Sequence, residues 1–395
     1  MNRTQTHTLA AFVAVLLLTC TYSHADDRFR TQILKRFPQL DTNGDGVLSD
    51  SEAAIVTQKI LKRFPDADQD GDGVLSESER QALMKMAANK GKRSKAKNAE
   101  STGKVDPKIF LGELGLKSEL DIEYRTNTAQ QRIKLDFIYP KKKVYDKAPL
   151  FIYIHGGGNT GGTKGAIYKK GNLIIEQLTD AGIAVATIDY RVFSQGEELG
   201  FQHLFQDCKD ALRFLAKNSE RFGIDPHKMV TWGTSAGGSK SLICALTAND
   251  FLPGEVNGSG TDHTVVGAIS FYGVTTMVVE DVWEKRKNRS KAELIMKPNS
   301  GLSTDEIRRL VSADQHLKSN SPPILLVHGD SDPTVPVDLS RHLYQRGKET
   351  GADVKFIEVK NATHGFRPIE GKAAPSMTWD QTQEVVIKQV LDWVK

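Results

Sequence analysis

Cysteine is scarce here, with three in 395 residues. Cys20 belongs to an amino-terminal stretch that is expected to be removed. Cys208 and Cys244 both lie in helix-like, largely apolar stretches, where a buried unpaired thiol is the ordinary reading rather than a disulfide. Neither has the motif context of a nucleophile. A surplus of one charge is also missing: 53 Lys and Arg against 49 Asp and Glu give a formal +4, which makes no case for nucleic acid as a partner. Long apolar runs are absent too, apart from Leu9 to Leu18, and that run is shorter than the roughly 20 residues a bilayer needs. With Arg3 ahead of it, and Ser23 and Ala25 at the −3 and −1 positions of a cleavage site, residues 1–25 read as a secretory signal. The mature chain is then expected to begin near Asp26, to be secreted or periplasmic, and to carry no integral membrane segment. Leu18-Thr19-Cys20 is a poor lipoprotein site, because Thr just before the Cys fits badly.

The remaining length and a hydrophobic content of 39% suit a large globular catalytic domain with one small module. The module announces itself by duplication. Residues 33–52, ILKRFPQLDTNGDGVLSDSE, return with a period of 27 as residues 60–79, ILKRFPDADQDGDGVLSESE. Each copy holds a twelve-residue loop with side-chain oxygens at positions 1, 3, 5, 9 and 12. These are Asp41, Asn43, Asp45, Ser49 and Glu52, then Asp68, Asp70, Asp72, Ser76 and Glu79. Gly46 and Gly73 make the turn at position six, and Val47 and Val74 offer backbone carbonyls at position seven. A hard cation with six to eight oxygen ligands needs that layout, which predicts Ca2+ binding. Residues 28–86 thus resemble the EF-hand family. The spacing departs from it: only residues 53–67 separate the loops, so one helix must leave the first and enter the second. Pro38 and Pro65 would end the entering helices early. Outside the cytosol, where calcium is abundant and steady, a structural or adhesive module is expected rather than a sensor, and one the chemistry does not require. Residues 89–104, NKGKRSKAKNAESTGK, then read as a flexible basic linker.

From Val105 onward strand-like and helix-like segments alternate. Arg132–Tyr139 alternates apolar and polar residues as a half-exposed edge strand does, whereas Leu150–Ile154 is a continuous apolar run suited to a buried parallel strand. Residues 183–188, 229–232, 265–271, 324–327 and 354–359 continue the series. Helices are predicted near 166–180, 204–222, 236–248, 338–350 and 380–394. The expected fold is α/β, a mostly parallel sheet with helices on both faces, in a catalytic domain spanning 105–395. Function then belongs at the carboxyl ends of the strands.

Three motifs fall at such ends. Gly233-Thr234-Ser235-Ala236-Gly237 has the G-x-S-x-G spacing of a nucleophile elbow, a pattern that chance also supplies. His155-Gly156-Gly157-Gly158 directly follows a strand, where glycines let successive N–H groups converge on one oxygen. Gly157 and Gly158 are expected to donate there, joined by the N–H of Ala236. The loop lacks the Lys-Ser/Thr of a phosphate-cradling P-loop. Among the histidines of the mature chain, His364 sits past the last predicted strand, ahead of Gly365, where an imidazole can reach over Ser235 as general base. His155 is expected to order its own loop, and His328 to bond to backbone. Asp330 and Asp332 both follow a strand, and Asp332 is chosen as the acid, because the turn ahead of Pro333 presents it outward while Asp330 caps the turn.

The order Ser235, Asp332, His364 is that of the α/β-hydrolase group. With the HGGG loop, Asp189-Tyr190-Arg191, residues 206–211, Gly223-Ile224-Asp225-Pro226 and the GTSAGG run at 233–238, residues 120–395 resemble its bacterial carbohydrate-esterase branch. That branch is similar to hormone-sensitive-lipase-type esterases and includes acetyl-xylan and feruloyl esterases. The resemblance implies attack by Ser235 on an ester carbonyl and an acyl-enzyme hydrolysed by water, on a small-molecule or polysaccharide ester. It implies a structural role for Asp189, Arg191 and Asp207, tying strand ends to the helix bearing Cys208. Thr234 departs from the pattern, standing where many relatives have Asp or Glu, and the charged segment 275–320 occupies the place of a substrate-covering insertion. Two other readings remain. A serine exopeptidase of the same fold has the HGGG loop and the missing propeller domain against it. A calcium-dependent wall-binding protein with an inactive hydrolase domain has the complete triad against it.

Overall fold

The computed structural model describes residues 105–126, 132–193, 199–257, 260–279 and 301–395. The expected signal segment, calcium loops and linker lie outside the described residues, as do residues 280–300 of the charged segment.

Eight strands form one sheet in the order β1-β2-β4-β3-β5-β6-β7-β8. They are β1 (Ser118–Thr126), β2 (Arg132–Ile138), β3 (Ala148–Ile154), β4 (Ala184–Ile188), β5 (Ile224–Thr234), β6 (Val265–Phe271), β7 (Ile324–Gly329) and β8 (Val354–Val359). β2 runs antiparallel to both β1 and β4, and every other pairing is parallel.

The continuous apolar run of β3 is explained by its two buried faces. Every residue of it is buried. Leu150, Ile152 and Ile154 pack with Leu204, Cys208 and Leu212 of the helix α4 (His203–Lys217). Phe151 and Tyr153 point the other way, into a cluster with Ile174 and Leu178 of α3 (Asn172–Asp180) and Val386 and Val390 of α9 (Trp379–Trp393). Between these, α6 (Ala236–Leu246) follows β5, and α8 (Asp338–Thr350) joins β7 to β8. Cys208 and Cys244 are both free and buried.

β2 is not the edge strand its alternation suggests. β1, in which Leu120, Ile122 and Tyr124 alternate with Glu119, Asp121 and Glu123 in the same way, pairs along it (Ile122 opposite Leu135) and takes the edge. Asp136 gave the misleading polar beat. It is fully buried, and its carboxylate accepts from Lys164 Nζ at 2.7 Å, Tyr168 Oη at 2.8 Å and the Asp121 N–H at 2.8 Å. The helix predicted near 166–180 is broken at Gly171 into α2 (Ile167–Lys170) and α3, and the one near 204–222 is broken at Asn218 into α4 and α5 (Ser219–Phe222). Two further helices, α1 (Pro107–Glu113) and α7 (Thr304–Leu310), escaped the periodicity because each has only seven residues.

From β3 the chain moves to β4 on one side, then crosses back to β5 on the other. The carboxyl ends of β3 and β5 therefore flank a topological switch point, where an open α/β sheet leaves a crevice. A buried ionic knot fixes one wall. Asp207 of α4 receives Arg191 through Nε at 2.8 Å and Nη2 at 2.7 Å, the Arg191 N–H at 2.9 Å, and Arg125 Nη1 at 2.5 Å. Arg125 reaches on to Asp210 at 3.0 Å. Asp189 instead takes the Lys164 N–H at 2.7 Å, so it anchors the loop after β3 rather than α4.

Removing one partner of a buried ion pair strands the others, at a cost of about 3–5 kcal/mol. Asp207→Asn is therefore expected to lower the urea midpoint by an amount equivalent to about 3 kcal/mol or more. An unchanged midpoint would mean that the knot is solvated and contributes little.

Candidate active site

Ser235 sits in the turn between β5 and α6 with φ 55° and ψ −119°, a backbone conformation that side-chain-bearing residues rarely adopt. Close packing enforces it. A Cβ on Gly237 would lie 2.1 Å from the Ile154 carbonyl oxygen at the end of β3, and one on Gly233 would lie 2.1 Å from the carbonyl oxygen of Gly237. Only glycine fits at either place. The Ser235 N–H donates to the Phe271 carbonyl at 2.8 Å, and the Ser235 carbonyl accepts from the Gly238 N–H at 2.9 Å. Beneath the turn, Thr234 exchanges a 3.2 Å hydroxyl hydrogen bond with Tyr153, so the departure at that position is accommodated without a carboxylate.

His364, on the loop after β8, reaches Ser235 Oγ with Nε2 at 3.1 Å and Asp332 Oδ2 with Nδ1 at 2.7 Å. The three residues named from sequence thus meet from the ends of three strands. A carboxylate facing Nδ1 keeps the proton there and leaves Nε2 as an acceptor for the serine hydroxyl.

Asp332, rather than Asp330, is the carboxylate that His364 meets. It is not turned outward: its side chain is buried, and its Oδ1 accepts the Thr334 N–H at 2.7 Å and the Val335 N–H at 3.0 Å. One carboxylate both caps the turn and holds His364. Asp330 accepts the neighbouring Ser331 hydroxyl at 3.0 Å.

His328, expected to bond only to backbone, does more. Its Nε2 faces the Val335 carbonyl at 2.9 Å and Asp332 Oδ2 at 3.3 Å, both acceptors, so Nε2 carries the proton and Nδ1 accepts from Ser340 Oγ at 2.7 Å. Burial would raise the Asp332 carboxyl's affinity for a proton. The hydrogen bonds from His328 and His364, the His364 charge and the Val335 N–H overcome this and hold it well below the usual carboxylate range. Tyr272, just past β6, packs its ring edge-on to the His364 imidazole at 4.6 Å, a support no motif signalled.

The loop after β3 carries Gly157, Gly158 and Asn159 in succession at positive φ, 129°, 64° and 63°. Gly158 and Ala236 line a cleft beside Ser235, whose walls also include Phe201, Phe205, Val274, Met277 and Val335. Ala236 opens α6, so its N–H has no intrahelical acceptor. Gly157 lies one step behind, its carbonyl accepting the Thr160 N–H at 3.2 Å. His155 orders the loop, as expected. Its ring stacks on Tyr190 at 4.2 Å, Nδ1 donates to the Gly156 carbonyl at 2.7 Å, and its own carbonyl accepts from Tyr190 Oη at 2.9 Å. Burial pushes its pKa down to about 4, so the ring is neutral near pH 7. Of the charged segment, Met277 reaches the cleft, and its N–H is held by Ser312 Oγ at 2.8 Å. Among the described residues no cluster of histidine, cysteine or carboxylate side chains could hold a metal.

The sheet, the elbow and the serine, histidine and aspartate together define an α/β-hydrolase. Residues 135–346 match the BD-FAE family, and the chain belongs to it. The chain is 28% identical over 231 residues to Esterase LipC of Mycobacterium tuberculosis, covering 57% of this chain and 54% of that one. It is 27% identical over 242 residues to isoprenylcysteine alpha-carbonyl methylesterase ICME of Arabidopsis thaliana, covering 60% and 54%. The chain thus spans about half the length of these curated relatives. Two solved structures share its fold. The propionate-bound Est2 esterase of Thermogutta terrifontis aligns with a TM-score of 0.56 at 22% identity, covering 70% of this chain and 94% of that one. A truncated carbohydrate esterase from gut microbiota aligns with a TM-score of 0.55 at 21% identity, covering 70% and 96%.

The depressed native pKa of Asp332 has a definite sign. Its interactions contribute stability above the unfolded carboxylate value of about 3.9, and that contribution is lost as pH falls from there toward the native value. Asp332→Asn is expected to melt below the native protein at pH 7 yet lose less Tm between pH 5 and pH 3. Scanning fluorimetry at each pH checks this, and parallel curves for the two proteins would count against it.

Proposed function

We propose that the protein is a secreted serine carboxylic-ester hydrolase that works through Ser235, His364 and Asp332 and an acyl-enzyme. What carries the reading is the unbroken relay, 2.7 Å from Asp332 to His364 and 3.1 Å from His364 to Ser235, opening into a cleft that Gly158 and Ala236 also line. Esterase relatives in the same family add to it.

In this mechanism His364 Nε2 accepts the Ser235 hydroxyl proton as Oγ attacks the ester carbonyl carbon. Asp332 stabilises the imidazolium that forms. The carbonyl oxygen gains negative charge and is met by the N–H groups of Ala236, Gly158 and Gly157. As the tetrahedral species collapses, His364 returns its proton to the departing alkoxide, which leaves as the alcohol and leaves Ser235 acylated. Water then gives a proton to His364 as its oxygen attacks the acyl carbon, and His364 returns that proton to Ser235 Oγ as the acyl bond breaks, releasing the acid and the free serine.

The proposed substrate is a polysaccharide carrying acetyl or feruloyl esters. Acetyl comes first, because Val274, Met277, Val335, Phe201 and Phe205 offer a small acyl group an apolar enclosure. The amino-terminal calcium module, with ligands from Asp41 to Glu52 and from Asp68 to Glu79, is read as structural and not required for the ester chemistry.

Ser235→Ala is expected to lower kcat on p-nitrophenyl acetate by at least about a thousandfold, with parallel loss of acetate release from acetylated xylan. Native and mutant chains equally inactive on both would end the esterase reading. A variant without residues 26–88 is expected to keep its rate on the small ester within about tenfold. Calorimetry of the full chain with CaCl2 should find two sites that vanish in the Asp41→Ala, Asp68→Ala double variant. A larger rate loss in a folded protein would make the module part of the enzyme.

A further inference from the structure

One charged side chain beside the reaction cleft has no part in the relay. Lys240 lies one turn into α6, faces the cleft, and is fully buried. A lysine does not enter such a place without compensation. Its Nζ donates to Asn159 Oδ1 at 2.6 Å and to the Ala236 carbonyl at 3.3 Å. The ammonium also lies over the rings of Tyr190 and Phe205, at 4.6 Å from each centroid, which favours its charged form.

These partners have a pattern. Ala236 belongs to the nucleophile helix and Asn159 to the loop after β3, the two segments that carry the proposed oxyanion donors. That loop holds three successive residues at positive φ, one of them not glycine, and such a conformation persists only where its surroundings over-determine it. Tyr190 fixes the start of the loop through the His155 carbonyl, and the Phe193 N–H holds the Asn159 carbonyl at 2.9 Å. Lys240 joins the Asn159 side chain to the helix.

We propose that Lys240 is a positioning residue which clamps the Gly157-Gly158-Asn159 loop to the amino end of the nucleophile helix, setting the distance between the two halves of the oxyanion site. This rests on the reading of Ser235 as nucleophile and of Gly157, Gly158 and Ala236 as donors. The clamp acts on the transition state through geometry, since misplacement of about 1 Å can cost a hundredfold in rate.

The clamp requires the ammonium to be charged. Burial pushes its pKa down to about 8, against the opposing pull of Cys208 and Asp207 from α4 and Cys244 from its own helix. Tyr190 and neutral His155 are the titratable groups on its other sides, with Asn159 the uncharged acceptor. Because the native pKa is lowered, the clamp holds below about pH 8 and weakens as pH rises through it.

The test uses the full chain and a fluorophosphonate probe, which reports serine reactivity without assuming a substrate. K240M, N159A and the double variant are compared with the native protein, with Tm recorded for each. Each single variant is expected to label at least about tenfold more slowly. The double variant should be no slower than the slower single one, because both changes break the same link. The native rate should fall toward the K240M rate above about pH 8, while the K240M rate stays flat there. Additive losses overturn the proposal, as does native-like labelling by N159A, which stands even if K240M does not fold. If all four proteins label alike while the native chain hydrolyses p-nitrophenyl acetate, the clamp fails and the esterase reading survives. If the native chain labels in the expected pattern but hydrolyses no ester, the clamp survives and the esterase reading fails. No labelling of the native chain overturns both.

Discussion

The site depends on one steric constraint, the collision that any side chain at 237 would have with the end of β3. Because Gly237 lies against the Ile154 carbonyl, and Gly233 against Gly237, α6 can begin directly on top of the parallel pair β3 and β5. The turn between β5 and α6 must then be sharp enough to push Ser235 into a positive-φ conformation. The same closeness brings the amino end of α6 beside the loop that leaves β3. Nucleophile, helix terminus and glycine loop are therefore one structural unit. The price of that unit is local backbone strain, and the surrounding hydrogen bonds, to the Phe271 carbonyl and from Gly238, Tyr190 and Phe193, are what keep the strained segments in register.

The relay is built differently, from a buried charge that is over-satisfied. Asp332 takes two backbone N–H groups on one oxygen and two imidazoles on the other. A carboxylate so placed is a fixed acceptor for His364 Nδ1, and His364 is in turn confined by the Tyr272 ring. Rotational freedom is removed at each link, and that removal makes a 3.1 Å approach to Ser235 reproducible rather than occasional.

Much of this was legible in the sequence, and the boundary of legibility is instructive. Continuous apolar runs locate β3, β4, β6 and β7 to within about two residues, since strands buried on both faces leave an unambiguous mark. The glycine spacing located the elbow, because the constraint acts on neighbouring residues along the chain. Contacts between distant segments left no such mark. β1 and β2 alternate alike, so alternation alone does not say which of the two is the edge, and the contact of His328 with Asp332 has no motif. The turn-capping role given to Asp330 in fact belongs to Asp332.

Those failures have a common physical origin. Reading a polar residue as solvent-facing is correct only where no partner awaits it inside. Asp136, Asp207, His328, Asp332 and Lys240 are all buried, and each is matched by polar partners on another turn or element. Each costs desolvation energy that a leucine in the same place would not. Together they join segments that apolar packing alone would leave free to slide: α4 to the strand ends, the β7 turn to His364, and α6 to the loop after β3. Hydrophobic contacts are nondirectional and fix which faces meet. Directional buried charge fixes where along those faces the reacting groups stand. A relay that must hold a serine, an imidazole and a carboxylate in line needs the second kind of specification. That is why the residues hardest to read from the sequence are concentrated around the cleft.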